Sequence, residues 1–390
     1  MTRAVALIDG EHYPSVVRDA IASLPHEVVG AYLAGGSEKL RGGDEYGVPL
    51  VEGFHGAELV VDLSDEPVLG PRERLRLASR VLALGIPYRG ADFGFEPPEL
   101  EPFPLPSLAV IGTGKRVGKT AVTGHVARTL GRDLDVVVVS MGRGGPAEPE
   151  VIDVRPTVES LLALSRAGRH AASDHLETAA LAGVTTIGCR RAGGGLAGAV
   201  TVSNVGEGAR LAAEREPDLV VFDGSGAAIP PVAVDCRILV AGSGQDPTGY
   251  LNAYRVLVSD LVVLVGGGDA AAVRALKNVP VVEATLQLRP MEPLDGRKVA
   301  VFTTGAAPTE HLDAEVVAVS RNLADRERLR EDLARVDAEL FLVELKAAAI
   351  DVVAEAAAER GVDVVLAAND VDSPGLDEQL AALLPTKARA

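Results

Sequence analysis

The sequence predicts an α/β fold: a phosphate-loop NTPase core with a mainly parallel sheet, flanked by smaller N- and C-terminal α/β domains. Three observations carry this. Short β-branched runs alternate with helical stretches along nearly the whole chain, the order of doubly wound sheets. Residues 112–121 read GTGKRVGKTA between an apolar strand and an amphipathic helix, the order of a mononucleotide-binding unit. The stretch PPELEPFPLPS at 97–107 holds five prolines, which suit neither a helix nor a central strand and mark a linker.

The first block, residues 1–104, places strands at AVALID (4–9), EVVGAYLAG (27–35), AELVVDLSD (57–65) and IPYRG (86–90). The second, 105–292, runs through LAVIG, DVVVVSMG, VTTIGC, LVVFDGSG, CRILVAGS, LVVLVGG and PVVEATL. Such near-continuous apolar runs are those of strands buried on both faces of a parallel sheet. The third, 293–390, restarts with the turn PLDG and the strand KVAVFTT. It adds AEVVAVS, a charged helix around DRERLREDLARV, AELFLVELK, an Ala-rich helix and DVVLAAND. It reads as a second small α/β layer.

With 390 residues, 47% of them hydrophobic, the chain can bury large cores. Its formal charge of −17 repels nucleic acid and anionic membrane at long range, so neither is expected as a partner. A small anionic substrate must then be met by a local cluster of Arg or Lys. Tryptophan is absent and aromatics are 3%, which leaves little for base stacking. Cys189 and Cys236 are the only cysteines, and MTRAVALIDG does not open a signal stretch; a cytoplasmic setting is expected. The runs VVVV and LVVLV fall far short of the roughly twenty residues of a membrane helix. Helices such as AAAIDVVAEAAAERG can pack internally or between subunits, which leaves a homodimer open.

The usual phosphate loop has Gly, four residues, then Gly-Lys-Ser/Thr. Here the position five before Gly118 is Thr113, and the glycine falls one earlier, at Gly112. The parts with chemical roles remain. Gly112, Thr113, Gly114, Lys115, Arg116, Val117, Gly118, Lys119, Thr120 and Ala121 form the expected nucleotide-binding segment. Its glycines expose backbone N–H groups, Lys119 reaches the β- and γ-phosphates, and Thr120 ligates Mg²⁺. The helix that follows favours bound phosphate at its N-terminus. Asp223, closing the apolar strand LVVFD, is the expected second Mg²⁺ group. No NKxD guanine signature occurs, which points to ATP.

Candidate substrate residues follow the strand ends, where an α/β sheet binds its ligands. Arg143 stands among glycines after DVVVVSMG, with Glu148 a candidate metal ligand; a solvated loop is the plain alternative. Arg190 and Arg191 precede three glycines, and guanidinium groups bind phosphate oxygens bidentately; a structural ion pair is the alternative. In GRHAASDHLETAALAG, a capped helix start at Ser173 or Asp174 with Glu177 near N3 competes with a substrate role for His170 or His175. Asp9, Glu11 and His12 end the first strand, where Asp-Gly also reads as a simple turn. Glu344 and Lys346 end FLVELK: a surface pair is one reading, a domain-closing lysine for a polyanion the other.

GTGKRVGKT resembles the modified loop of dethiobiotin synthetases. Partitioning ATPases of that branch carry a lysine five before the loop lysine, where this chain has Gly114. Beyond the loop, ALIDGEHYP, SMGRGGPAEPE, SDHLETAALAG, CRRAGGGLAG and DPTGYLNAYRVLVSD resemble the cyclic 2,3-diphosphoglycerate synthetase family over nearly the full chain. The resemblance implies ATP- and Mg²⁺-dependent closure of 2,3-diphosphoglycerate to its cyclic pyrophosphate, with release of ADP and phosphate. Lys119 and Mg²⁺, held by Thr120 and Asp223 with help from Glu148, would then polarise the γ-phosphoryl group. Arg143, Arg190 and Arg191 would clamp the substrate phosphates, with Asp9, Glu11, His12, His170 and Lys346 as further contacts. Two alternatives differ in what they predict. A dethiobiotin-like ligase or a kinase of another phosphorylated acid would give a different product. A nucleotide-dependent switch would respond to a protein rather than to a small acid.

Overall fold

The computed structural model describes residues 1–35, 45–167, 173–305, 308–345 and 350–384. The first block forms β1 (Arg3–Ile8), α1 (Pro14–Ser23), β2 (Glu27–Leu33), β3 (Leu50–Val51), β4 (Leu59–Asp62), α2 (Pro71–Ala83), β5 (Tyr88–Arg89) and β6 (Gly94–Phe95). Both helices open on proline, whose fixed φ and missing N–H suit the first helical turn. The sheet order is β3-β2-β1-β4-β5-β6, parallel up to β5. The strand order therefore reverses between β1 and β4, and a crevice is expected at their carboxyl ends.

The second block follows with β7 (Ser107–Gly112), α3 (Lys119–Leu130), β8 (Val136–Gly142), β9 (Glu150–Ile152), α4 (Val158–Arg166), α5 (Asp174–Ala182), β10 (Thr185–Ala192) and β11 (Val202–Ser203). It continues through α6 (Val205–Ala213), β12 (Leu219–Asp223), β13 (Cys236–Gly242), α7 (Asn252–Leu257), β14 (Leu261–Val265), α8 (Ala270–Leu276) and β15 (Val281–Pro290). The run VVVV on β8 shows why these strands read as continuously apolar. Val137 and Val139 enter one core while Val136 and Val138 enter another on the opposite face, as a period of two requires. The strands run β10-β8-β12-β7-β13-β14-β15 in parallel, so the turns after β7, β8, β10, β12 and β13 share one sheet edge.

The third block comprises β16 (Lys298–Phe302), β17 (Glu315–Ser320), α9 (Arg326–Arg335), β18 (Leu340–Glu344), α10 (Ile350–Arg360), β19 (Asp363–Asp372) and α11 (Leu376–Leu383). The expected separate layer gives way to a continuation of the core sheet. The ten-residue β15 pairs with β14 through Val281–Ala284 and then, antiparallel, with β19 through Thr285–Pro290. A strand this long can hold one partner along each half, and a single 13-stranded sheet results. The expected surface pair at the end of β18 is also corrected. Glu344 is buried and accepts hydrogen bonds from Thr304 N, Thr304 Oγ1 and Asn369 Nδ2. Lys346 lies outside the described residues.

Candidate active site

The glycine turn after β7 is shaped by close backbone approaches. A Cβ on Gly112 would stand 2.9 Å from the Gly226 carbonyl oxygen. Gly118 adopts φ +86°, and a Cβ there would stand 3.0 Å from Val265, so only glycine fits without strain. Arg116 also has positive φ, at 58°. Thr113 N donates to Val240 O at 3.0 Å and its hydroxyl to Gln245 Oε1 at 2.5 Å. Val117 and Ala121 enter the core beneath, while Lys115 and Arg116 stay exposed. The result is a pinned cradle of N–H groups opening onto the N-terminus of α3, which suits a phosphate chain.

Under the cradle, Lys119 Nζ lies 2.5 Å from Asp223 Oδ1. The same oxygen accepts the Thr123 hydroxyl at 2.6 Å, and Ser140 Oγ reaches Oδ2 at 3.4 Å. Asp223 is wholly buried. Burial pushes its carboxyl above the usual range, against the pull of Lys119 and the Thr123 hydrogen bond; the nearby charge of Asp174 adds to the upward push. Thr120 is buried on the first turn of α3.

Of the three arginines, Arg143 follows a strand, whereas Arg190 and Arg191, expected after one, are corrected to the closing residues of β10 itself, paired with Gly142 of β8 and Ser203 of β11. Arg143 is exposed after β8, and Arg190 is exposed near the end of β10. Arg191 is half-buried: Nη1 donates to Gly193 O at 2.5 Å and Nη2 to Ser225 O at 2.9 Å. Burial and the like charge of Arg143 push the Arg191 guanidinium down, while Asp174 opposes them. A Cβ on Gly226 would meet Lys115 Cγ at 3.7 Å and Arg191 Nη2 at 3.8 Å. The nucleotide loop and the arginine loop thus converge over one glycine.

The helix starts where expected, at Ser173, but not through a side-chain cap. Ser173 is the N-cap of α5 without a side-chain capping bond, and Glu177 is buried. His175 is buried, with Nε2 3.6 Å from Glu150 Oε2. Its ring occupies room left by Gly188, where a Cβ would stand 2.5 Å from His175 Cγ. Beside it is a cavity of about 180 Å³ lined by Pro146, Glu150, Ser173 and His175 among others. Glu148 is exposed on the same loop. His170 lies outside the described residues.

In the first block, Asp9 is buried at the end of β1. Oδ1 accepts Glu11 N at 2.9 Å, His12 N at 3.3 Å and His12 Nδ1 at 3.0 Å, and Oδ2 accepts Asp65 N at 2.9 Å. Burial alone would raise this carboxyl, but the Asp65, His12 and Glu11 bonds hold it below its ordinary value. The hydrogen bond to Asp9 pushes His12 up, with Asp65 on its far side, Nε2 to Oδ2 at 3.3 Å. These groups sit at the expected crevice between β1 and β4.

The geometry adds residues that the sequence reading did not select. Asp174 faces both Asp223 and Arg191 electrostatically. Thr123, one turn beyond Lys119, shares its carboxylate, and Gln245 braces Thr113. The i, i+4 spacing from the loop lysine was the available signal for Thr123. Gln245 carried none, since its contact is set by a distant chain segment, and Asp174 was read only as a possible helix cap.

Three family models match the chain in order. They are described as the cyclic 2,3-diphosphoglycerate synthetase N-terminal domain, over residues 3–96, its P-loop domain, over 107–290, and its C-terminal domain, over 290–370. A relative from Rubrobacter xylanophilus, named cyclic 2,3-diphosphoglycerate synthetase, is 49% identical, covering 99% of this chain and 98% of that protein. Relatives of the same name from Thermococcus kodakarensis and Pyrococcus furiosus are 42% and 39% identical, covering 94% and 96% of this chain and 94% and 96% of theirs. With this coverage across all three blocks, the chain belongs to the cyclic 2,3-diphosphoglycerate synthetase family.

Proposed function

We propose that the protein closes 2,3-diphosphoglycerate to its cyclic pyrophosphate, consuming ATP and releasing ADP and phosphate. The observation that carries this is the convergence of a phosphate-loop lysine on a sealed carboxylate with a separate set of arginines on the next loops. One group fits a nucleotide, the other a second, highly charged phosphorylated acid. The names of the relatives point to the same acid.

In the reaction, an oxygen of one substrate phosphate bonds to the γ-phosphorus of ATP as the bond to ADP breaks. The other substrate phosphate then attacks the phosphorus of the first, closing the ring and expelling inorganic phosphate. Lys119, at the head of α3, neutralises the β- and γ-oxygens, and the amides of 113–118 hold them in line. Arg143, Arg190 and Arg191 draw together two substrate phosphates that repel each other, and holding them in near-attack geometry removes several kcal/mol of barrier. Glu11 and His12, fixed by the Asp9 turn, contribute from the N-terminal crevice.

The donor set also fits Mg²⁺. Thr120 offers a hydroxyl, and among the described residues Asp223 Oδ2 keeps only one long hydrogen bond, from Ser140; Glu148 is the third donor in this assignment. Mg²⁺ bound with the nucleotide would supply charge neutralisation at the transferring phosphoryl group. We assign the domains to 1–104, 105–292 and 293–390, and place the protein in the cytoplasm. The cytoplasmic reading is supported by two free, buried cysteines, and no described helix is long and apolar enough to cross a membrane.

Phosphorus NMR of the protein with ATP, Mg²⁺ and 2,3-diphosphoglycerate tests the reading. Cyclic pyrophosphate resonances should grow in step with ADP and phosphate. ATP hydrolysis that leaves the diphosphoglycerate untouched would refute it.

A further inference from the structure

We propose that Arg255 is a positioning residue for the acceptor side of the site, setting Arg191 through the loop after β12. This deepens the reading above and rests on it. Arg255 opens no ion pair: among the described residues its partners are carbonyl and amide oxygens. Nη1 donates to Leu196 O at 3.1 Å, Leu251 O at 3.2 Å and Asn252 Oδ1 at 3.4 Å. Nε and Nη2 both donate to Ala227 O, at 3.0 and 2.5 Å. Its exposure is 2%, and it heads the fully buried side chains by size.

A buried guanidinium without a carboxylate is costly unless its donors are used. Here they span two functional loops at once. Leu196 belongs to the glycine run that follows Arg191, and Ala227 to the loop that follows Asp223. The two loops are tied again by Ile229 N donating to Gly198 O at 2.8 Å. Within the second loop, Ser225 and Ala228 exchange backbone hydrogen bonds at 3.0 and 3.2 Å. Ser225 O is the acceptor for Arg191 Nη2. The chain of contacts therefore runs Arg255, Ala227, Ser225, Arg191, and Gly226 in its middle faces Lys115 of the phosphate loop.

Two consequences follow. The acceptor arginine is held by a rigid loop rather than by its own flexible stem, which suits a clamp that must hold two repelling phosphates. Among the described residues the Arg255 charge is also not cancelled by an acid. Burial lowers it to about 10, so it stays cationic at neutral pH and adds to the field that an anionic acceptor meets. It further gives a role to NAYRVLV, whose arginine lies among apolar residues where an ordinary surface cation would not.

The test uses Arg255→Lys, which keeps the charge but cannot span Leu196 and Ala227 with a planar fork, and Arg191→Ala, alone and combined. Folding is checked by thermal denaturation. Folded Arg255→Lys should raise the KM for 2,3-diphosphoglycerate about tenfold, with ATP affinity within about twofold by equilibrium binding. In the Arg191→Ala background the same change should add little, because the two act as one unit. Unchanged KM, equal loss of ATP affinity, or full additivity would overturn the proposal. Hydrogen exchange of the amides at 193–199 and 225–229, without substrate, should quicken in Arg255→Lys; unchanged protection would also overturn it. Wild-type protein inert towards 2,3-diphosphoglycerate would instead count against the assigned reaction, and the exchange measurement would still decide the clamp.

Discussion

The Lys119 ammonium and the Asp223 carboxylate meet at 2.5 Å beneath the glycine cradle, with Asp223 at 0% exposure. In this closed pair the lysine that opens α3 is held by a residue from the neighbouring strand β12. In the proposed reaction the nucleotide phosphates would compete for this lysine, and its departure would leave the carboxylate to a cation.

Lys119→Met should therefore act twice. Phosphoryl transfer should fall on the order of a hundredfold or more, measured as ADP release. Stability at neutral pH should drop by about 3–5 kcal/mol as the buried carboxylate loses its partner. Burial already pushes Asp223 up, and without Lys119 the native state binds a proton more readily than the unfolded chain. The variant should thus regain stability as pH falls from neutral, read by denaturant titration. Loss that stays flat with pH would contradict this account.

Arg190→Ala and Arg191→Ala should each raise the KM for the phosphorylated acceptor about tenfold and leave ATP binding intact. The half-buried Arg191, with two carbonyl acceptors, should show the larger effect than the exposed Arg190. Steady-state kinetics with each substrate varied in turn separates the two. Equal losses for ATP and acceptor would place the arginines on the nucleotide.

Gly188→Ala introduces a methyl 2.5 Å from His175 Cγ. The ring has to leave its slot beside Glu150, and stability should fall by roughly 1–3 kcal/mol. Adding His175→Ala should recover part of this loss, as measured by denaturant unfolding. A neutral Gly188→Ala would show that the ring has room elsewhere.

His12 is pushed above its ordinary value of 6.5 by Asp9, with Asp65 also facing it. A raised native value means that its contribution to stability is complete below the unfolded value and fades as pH rises through the native one. The melting temperature of the wild type should decline over that window, and His12→Gln should flatten the decline. An identical pH profile in both proteins would show that the Asp9 and Asp65 contacts are energetically silent.

The phosphate loop and the buried strands were legible because each depends on neighbours a few residues away. The ten residues from Gly112 to Ala121 carry their own turn chemistry, and VVVV reads as a strand because both faces are apolar. Asp223 was legible as a strand-ending acid and Ser173 as a helix start, but that the Ser173 side chain makes no capping bond was not. Glu344 looked like half of a surface pair and is instead a buried acceptor for Thr304 and Asn369.

The sequence by itself determined the α/β class, the family and the place of the phosphate loop. These rest on local periodicity and on short motifs. Tertiary structure alone decided that β15 would hold two partners, that the charge of Asp174 would act on Arg191, and that Arg255 would close on carbonyls rather than acids. Those outcomes depend on where residues far apart in the chain arrive, as Lys119 and Asp223 do across 104 positions. Packing and burial, not local preference, then choose which polar group each one meets.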